Sequence, residues 1–228
     1  VVTVEKFDFK SFEINKALRT LNLEITNKGG KSTLFKEKNY YIELYTSEKL
    51  LLQRIKIASD EIITTQQYSY DISKSFENGD AALIAIIEKE DKDYPQVVLR
   101  ENVNGAPVLT CSKDSTSLTY EFEKDEEENK LYLVKISEST TYMENTTEDY
   151  DMVLQDNTVL NGVFGGISGI KSELVPIRNG FRFNTEVDLK TIIRSNLDRY
   201  FNKPTYYLKD TEAKTISFEL DASGYSCN

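Results

Sequence analysis

The chain has 228 residues, a net charge of −10, two Cys and no His. An acidic chain is a poor partner for nucleic acid or anionic lipid, because both are bound through clustered Lys and Arg. Without His there is no Ser–His–Asp or Cys–His nucleophile, and the usual His or multi-Cys zinc sites are excluded as well. A carboxylate pair and a Ser–Lys dyad remain as open routes to catalysis.

No apolar run in the sequence approaches the roughly 20 residues that a membrane-spanning helix needs. The longest runs, residues 81–87 and 50–52, are short enough to be strands. The sequence begins with Val1 and contains no signal peptide. We therefore expect a mature protein whose signal or membrane anchor has been removed. The alternative is a cytosolic protein from which a tag was cleaved.

The first part of the chain has the pattern of short β-strands. Leu21, Leu23 and Ile25 alternate with polar residues, as in a strand with one buried face. Residues 41–45 and 50–57 form a predicted hairpin, and the nearly continuous apolar run over 81–88 is typical of a central strand. Short strands at this spacing predict an antiparallel β-sandwich over residues 1–95.

Three strand motifs lie within residues 21–87: LNLEITNKGG, YIELYTSEKLL and IITTQQYSYDI. They resemble the FxLYD-type and Ig-like domains of bacterial surface lipoproteins. In those domains one strand ends in Asn-x-Gly, another ends in a Leu-Tyr pair, and a later strand bears tyrosines. The resemblance implies a β-sandwich and carries no site residue. The chain departs from the family pattern at residues 46–49, where Asp and Gly are typical.

A change of composition separates the two parts of the chain. Residues 88–93 are a run of charged side chains that Tyr94-Pro95 follows, and residues 101–107 contain the turn-forming pair Asn104-Gly105. Charge and proline are unfavourable in strands and typical of linkers. The division is therefore predicted near residues 92–106, with a second domain over residues 106–228.

The second domain is predicted to be an antiparallel sheet packed by two or three helices, which makes the whole chain α+β. Its strands are expected at residues 108–111, 118–123, 131–137, 174–177 and 181–187. One helix is predicted to start at the capping residues 145–149 and to end at Gly165-Gly166. Another covers residues 189–201 with Asp188 as its N-cap. Residues 211–222 fit a helix or a strand, and Gly224 beyond them favours the helix.

Cys111 and Cys227 stand at the two ends of the second domain. They form either a disulfide or two free thiols, and two is a small number from which to argue. The position of Cys227 next to the chain's last residue favours the disulfide, because such a residue has little core around it. A disulfide there indicates an oxidising compartment.

A set of motifs over residues 107–228 is similar to the YehR-like lipoprotein domains. The motifs are LTC, SLTYEF, KLYLVKI, GISGIK, GFRFNTEVDL and the final GYSC. The resemblance implies a membrane-attached, extracytoplasmic α+β domain of unknown function. Its recurring residues are hydrophobic, glycine and cysteine, so it transfers no catalytic residue. The chain lacks the lipoprotein Cys at its start, which leaves the kind of anchor open.

Three stretches resemble ligand sites only in part. Residues 162–172 are glycine-rich, but Ile170 separates Gly169 from Lys171 and breaks the Gly-Lys pair of a phosphate loop. Residues 125–128 and 88–93 offer carboxylates to calcium without EF-hand spacing. We predict a helix end for the first stretch, solvated loops for the other two, and neither a metal nor a cofactor site.

Two groups of carboxylates remain as candidates for catalysis. Glu148, Asp149 and Asp151 form the first, and Glu186 and Asp188 the second. A glycosidase would bring one member of each group face to face. Nothing in their spacing favours that arrangement, and the first group also suits a helix N-terminus. No catalytic residue is predicted.

Five tyrosines on predicted strands are candidates for a binding surface. They are Tyr40, Tyr41, Tyr45, Tyr68 and Tyr70. Exposed tyrosines can stack on sugars or anchor a protein partner. Because successive strand residues alternate between faces, some of the five are expected in the core.

These observations predict a non-enzymatic binding or structural module on the surface of a bacterial cell. Its partner is expected to be a protein or a cell-envelope ligand, not nucleic acid, and its contact with the membrane to run only through an anchor. The ectodomain of a membrane-anchored sensor or regulator is one alternative. A cell-envelope enzyme that uses carboxylates is another, and it would show a cleft with two facing Asp or Glu of raised pKa.

Overall fold

The computed structural model describes residues 7–27, 33–34, 39–57, 61–62, 64–77, 79–89, 96–103, 105–125, 127–128 and 130–228. The chain forms two compact units, Val1–Gly105 and Ala106–Asn228. Among the described residues strands predominate over helices, and the sheets are mostly antiparallel. The protein is therefore α+β, as the sequence predicts.

The first unit contains nine strands and one short helix within the described residues. They are β1 Phe7–Asn15, β2 Thr20–Asn27, β3 Thr33–Leu34, β4 Asn39–Tyr45, β5 Leu51–Lys56, β6 Glu61–Ile62, β7 Thr65–Asp71, α1 Lys74–Glu77, β8 Leu83–Lys89 and β9 Gln96–Asn102. One sheet has the order β1-β2-β7 and another the order β5-β4-β8-β9, while β3 pairs with β6. All of these pairs are antiparallel.

The core of the first unit joins both larger sheets. Leu21, Leu23 and Ile25 of β2 are at most 2% exposed, as their alternation predicts, and they pack in one cluster with residues of β4 and β8. Strand β8 lies between β4 and β9, and its interior residues are almost all buried. The continuous apolar run at this position therefore belongs to a central strand.

Strand β9 is the main departure from the sequence prediction in this unit. Its residues were expected in the segment between the domains, but they pair with β8 from Leu83↔Asn102 to Glu88↔Gln96, and Leu99 packs against the core. The residues around β9 have the composition of a linker. The segment nevertheless forms a strand, because pairing with β8 satisfies the hydrogen-bonding groups of its backbone. Residues 90–95, which carry most of the predicted linker signal, lie outside the described residues.

The second unit is a six-stranded antiparallel sheet with three helices. Its elements are β10 Val108–Lys113, β11 Thr116–Asp125, β12 Lys130–Met143, α2 Tyr150–Phe164, β13 Ile170–Ile177, β14 Gly180–Asp188, α3 Arg194–Tyr200, α4 Ala213–Ala222 and β15 Ser226–Cys227. The strand order is β13-β14-β12-β11-β10-β15. Both predicted hairpins, β11–β12 and β13–β14, are present.

Three aromatic rings of this unit lie together in its core. Phe164 of α2 lies 6.5 Å from Phe183 of β14 and 5.3 Å from Phe201, which follows α3, measured between ring centroids. All three rings are less than 10% exposed. In β14 the odd-numbered residues 181–187 are buried, so they define the buried face of the sheet.

The last ambiguous segment is a helix. Ala213, Ile216 and Leu220 of α4 are at most 5% exposed, which is the spacing of one helical face. Gly224 follows the helix with φ of 86°, and Tyr225 N donates to Leu220 O at 2.9 Å. A glycine in this left-handed conformation is a common helix end.

Two predicted helix starts are wrong. Helix α3 begins at Arg194, five residues later than predicted, because Asp188 is the last residue of β14 and its carboxylate closes a turn over residues 188–191. Helix α2 begins at Tyr150 without a side-chain cap from Asp149. Thr147 instead accepts a bond from Met143 N at 3.1 Å, so residues 145–149 form a turn and not a capping box.

A glycine is required at position 169, because the chain there passes close to the backbone of Ile192. Gly169 has a φ of 86°, and a Cβ built on it would lie 2.5 Å from Ile192 N and 2.8 Å from Ile192 Cα. Gly169→Ala is expected to lower the free energy of unfolding by about 1–3 kcal/mol, measured by urea denaturation. Gly162→Ala is the matched control, because Gly162 lies in α2 with no heavy atom near an added Cβ. It should raise stability by about 0.5–1 kcal/mol, and equal effects at both sites would contradict this account.

Candidate binding face of the second unit

A disulfide closes one edge of the sheet of the second unit. Cys111 of β10 and Cys227 of β15 are bonded and directly opposed in the antiparallel pair. Beside them Thr110 and Asn228 exchange two backbone hydrogen bonds of 3.0 and 2.9 Å. Cys111 is fully buried. A disulfide indicates an oxidising environment such as the outside of the cell.

The glycine-rich stretch 162–172 belongs to three different local structures. Gly162 lies inside α2, Gly165 ends that helix, and β13 begins at Ile170. Gly169 supplies the positive φ that the turn before β13 needs. The stretch is therefore a helix end followed by a turn and a strand, as predicted.

The acidic stretches are partly buried and partly turn-forming. Asp125 accepts hydrogen bonds from the backbone N of Glu127 and Glu128, at 2.9 and 3.0 Å, in the turn between β11 and β12. Glu88 was expected in a solvated loop, but it is 3% exposed on β8 and accepts a bond of 3.0 Å from the Tyr40 hydroxyl. Among the described residues, no three acidic or cysteine side chains are grouped to hold a metal ion.

The two groups of carboxylates considered for catalysis have other partners or lie in solvent. Glu148, Asp149 and Asp151 are exposed around the start of α2. Glu186 lies 3.1 Å from Lys171 Nζ and 3.7 Å from Lys135 Nζ. The Asp188 carboxylate accepts hydrogen bonds from Lys190 and Thr191 in the turn that follows it. Glu186 and Asp188 are thus held by partners of their own, while the first group is exposed to solvent.

Asp188 provides a pH-dependent contribution to stability. Thr191 Oγ1 donates to its Oδ2 at 2.7 Å and Lys190 N donates to its Oδ1 at 2.9 Å. The Thr191 hydroxyl is the main reason that the pKa of Asp188 is lowered. A lowered pKa means that this contribution is present above the unfolded-state pKa of about 3.9 and is lost as the pH falls through the folded pKa.

Asp188→Asn is therefore expected to destabilise the protein at neutral pH, and to cost less at acid pH as the carboxyl of the folded protein becomes protonated. Urea denaturation at the two pH values measures the difference. Thr191→Val is the control, because losing the hydroxyl should remove part of the same pH dependence. An equal cost of Asp188→Asn at both pH values would contradict the assignment.

The five candidate tyrosines do not form an exposed aromatic surface. Tyr40 is 4% exposed and belongs to the core. Tyr41, Tyr45, Tyr68 and Tyr70 are half-buried, and the last two pack against the same core. The Tyr45 hydroxyl donates to the buried carboxylate of Glu43. Burial, followed by this bond, raises the pKa of Tyr45 to about 12.

The face of the second sheet opposite the buried residues of β14 is polar. Its central side chains are Ser117 and Thr119 of β11, Ser137 and Ser139 of β12, and Asn184 of β14. We call this side of the sheet the polar face. The registers Ser117↔Ser139↔Asn184 and Thr119↔Ser137 place these five residues in two adjacent rows. Ser139 Oγ donates to Asn184 Oδ1 at 2.7 Å.

Two concavities lie on the polar face. The first has a volume of about 440 Å³, and all five of these side chains line it. The second, of about 500 Å³, is lined by charged residues and by the turn that contains Ser168 and Gly169. Lys171 and Glu186 line both, so the two concavities are neighbours on the sheet. We call them together the trough.

Ion pairs cross the sheet along the trough. Lys135 Nζ lies 2.9 Å from Glu121 Oε1, and Lys190 Nζ lies 2.5 Å from Glu123 Oε2. With the contacts of Glu186 to Lys135 and Lys171, a chain of alternating charge runs from β11 to β13. The Glu121 carboxylate is the main reason that the pKa of Lys135 is raised. Lys135 therefore stays protonated, and its charge is held by carboxylates.

Sequence reasoning missed the polar face because it was directed at aromatic and acidic residues. A signal was present, since small polar residues alternate at positions 117 and 119 and again at 137 and 139. Such alternation alone predicts only a strand face that contacts water. The trough becomes visible when strands that are distant in sequence are placed side by side.

Among the residues that the structure describes, no helix has the length and apolar character needed to cross a membrane. Comparison with known proteins adds no assignment. No protein-family model, no curated protein and no solved structure matches the chain.

Proposed function

We propose that this chain is an extracytoplasmic binding module of a bacterial cell-surface protein that is held at the membrane by an anchor. The observation that carries the proposal is the Cys111–Cys227 disulfide, which closes the second unit over 116 positions of sequence. A bond on which a domain depends in this way is retained in oxidising compartments and is rare in the reducing cytosol.

The first unit is proposed to be a β-sandwich of the FxLYD or Ig-like kind, and the second a domain similar to the YehR-like lipoproteins. One apolar cluster contains buried residues of both larger sheets of the first unit, including Leu23 of β2 and Ile42 of β4. Two sheets that share a core in this way are what a sandwich requires. The sheet and helices of the second unit suit the α+β domain.

Binding is favoured over catalysis by the way the polar groups are arranged. The carboxylates of Glu43, Glu121 and Glu186 are held by Arg or Lys, so their charge is already compensated. Small hydroxyl and amide groups line the first concavity together with four charged residues, and these hydroxyl and amide groups can donate and accept hydrogen bonds without reacting. A surface of this composition recognises a ligand by hydrogen bonds.

Surface location is tested on intact cells of the organism that encodes the protein. We expect the protein to fractionate with the cell envelope and to be digested by protease added to intact cells. A cytosolic protein of known identity is the control and should remain intact. Recovery of the full-length protein in the cytosolic fraction, protected from external protease, would contradict the proposal.

A further inference from the structure

The floor of the trough is an ordered array of hydrogen-bonding groups. Four hydroxyls and one amide project from three neighbouring strands. Adjacent strands are about 4.8 Å apart, and alternate residues of one strand are about 6.7 Å apart. These spacings are on the scale of a sugar ring. Asn184 accepts from Ser139 through Oδ1, and its amide nitrogen is a second polar group, a donor.

The trough has the volume for more than one unit of a ligand. Its two parts, of about 440 and 500 Å³, meet at the ion pair between Lys171 and Glu186. Each part alone has a volume within the range of small-molecule sites. A chain of linked units would follow the trough from the hydroxyl-lined part toward Gly169.

The charges along the trough favour a neutral ligand. Lys135, Lys171 and Lys190 each have a carboxylate oxygen within 3.1 Å. An anionic ligand would have to displace these carboxylates. A cationic ligand would have to displace the lysines from Glu121, Glu123 and Glu186, and Glu173 is one further carboxylate in the lining of the first concavity. A neutral hydroxyl-rich ligand can bind between the pairs without breaking them.

The floor offers little to a protein partner. Hot spots of protein interfaces are dominated by Trp, Tyr and Arg in desolvated pockets, whereas the floor consists of Ser, Thr and Asn. Hydroxyl and amide groups in a shallow trough match a ligand whose own surface is mostly hydroxyl. Without an aromatic ring to stack on, such binding is expected to be weak, with a Kd of about 1 mM.

We propose that the trough on the polar face binds a neutral oligosaccharide chain of the cell envelope. This inference rests on the proposed function, because it assigns the ligand class of the extracytoplasmic binding module.

The test is a sedimentation assay of the purified chain with washed envelope fragments from the organism that encodes it. Fragments are used untreated, after protease digestion, or after periodate, which cleaves the vicinal diols of sugars. Binding should survive the protease, be lost after periodate, and be insensitive to added salt because the ligand is neutral. Ser137→Arg, which fills the floor, should weaken binding about tenfold.

Thr141→Arg is the matched control, because Thr141 lies on the same face of β12 and lines neither concavity. It should leave binding unchanged. The double variant Ser137→Ala and Ser139→Ala removes hydroxyls without filling the floor and should also weaken binding. Thermal unfolding of each variant verifies its fold.

Binding that resists periodate and is lost after protease would assign a protein partner and overturn the inference. Equal losses in Ser137→Arg and Thr141→Arg, or no binding to any preparation, would overturn it as well. In those cases a protein that still locates to the cell surface keeps its proposed location, whereas a cytosolic location would remove the proposed function itself.

Discussion

Breaking the Cys111–Cys227 bond is expected to lower the free energy of unfolding of the second unit by about 2–5 kcal/mol and to leave the first unit unchanged. The bond closes a loop of 116 positions, so its loss restores much conformational freedom to the unfolded chain. It also fixes the two-residue strand β15, which only this bond and a few backbone contacts connect to β10.

Hydrogen exchange followed by mass spectrometry measures this effect separately in the two units, with and without reductant. The variant Cys111→Ala and Cys227→Ala should have the stability of the reduced protein and should not respond to reductant. Alanine is the appropriate replacement because Cys111 is fully buried and a serine there would add an unsatisfied hydroxyl. Equal destabilisation of both units would contradict their independence.

Phe181→Ala is expected to cost about 3–5 kcal/mol of the free energy of unfolding. Phe181 is 2% exposed in β14, and its ring centroid lies 4.8 Å from that of Tyr142 and 5.7 Å from that of Tyr150. It therefore connects two strands of the sheet to the start of α2. Its removal leaves a cavity that these rings cannot fill without moving.

The matched control is Phe218→Ala, which removes the same side chain from a helix surface where it is 75% exposed. Its effect should be about 0.5 kcal/mol or less. Urea denaturation monitored by circular dichroism of the second unit measures both variants. A similar cost at the two positions would show that the core is not located where the structure places it.

The sequence predicted those elements whose pattern is both local and strong. Leu21, Leu23 and Ile25 alternate because one face of β2 is buried, and the Asn179-Gly180 turn joins two strands as expected. Asn179 has the positive φ of 59° that this tight turn requires. Such features depend on residues that are neighbours in the chain.

Elements that depend on distant partners were predicted less well. Strand β9 forms because its backbone pairs with that of β8, although the residues that flank it have the composition of a linker. Helix α3 begins later than predicted because Asp188 ends β14 and accepts a hydrogen bond within the turn that follows. A residue type that favours N-caps also favours turns, and the pairing of neighbouring strands decides which of the two it forms.

The candidate site was the least predictable part of the protein. Ser117, Ser139 and Asn184 lie on three strands and are ordinary residues for a strand face in water. Only the registers of β11, β12 and β14 bring them into one row. The tyrosines that were more conspicuous in the sequence are half-buried or in the core.

The central claim, that the protein works outside the cytoplasm, is tested most directly by trapping its thiols in the native cell. Cells are lysed in denaturant with an alkylating reagent, and the intact mass is measured before and after reduction. The account predicts that Cys111 and Cys227 are alkylated only after reduction, in a monomeric protein. Alkylation of both cysteines before any reductant is added would contradict it and would favour a cytosolic binding protein.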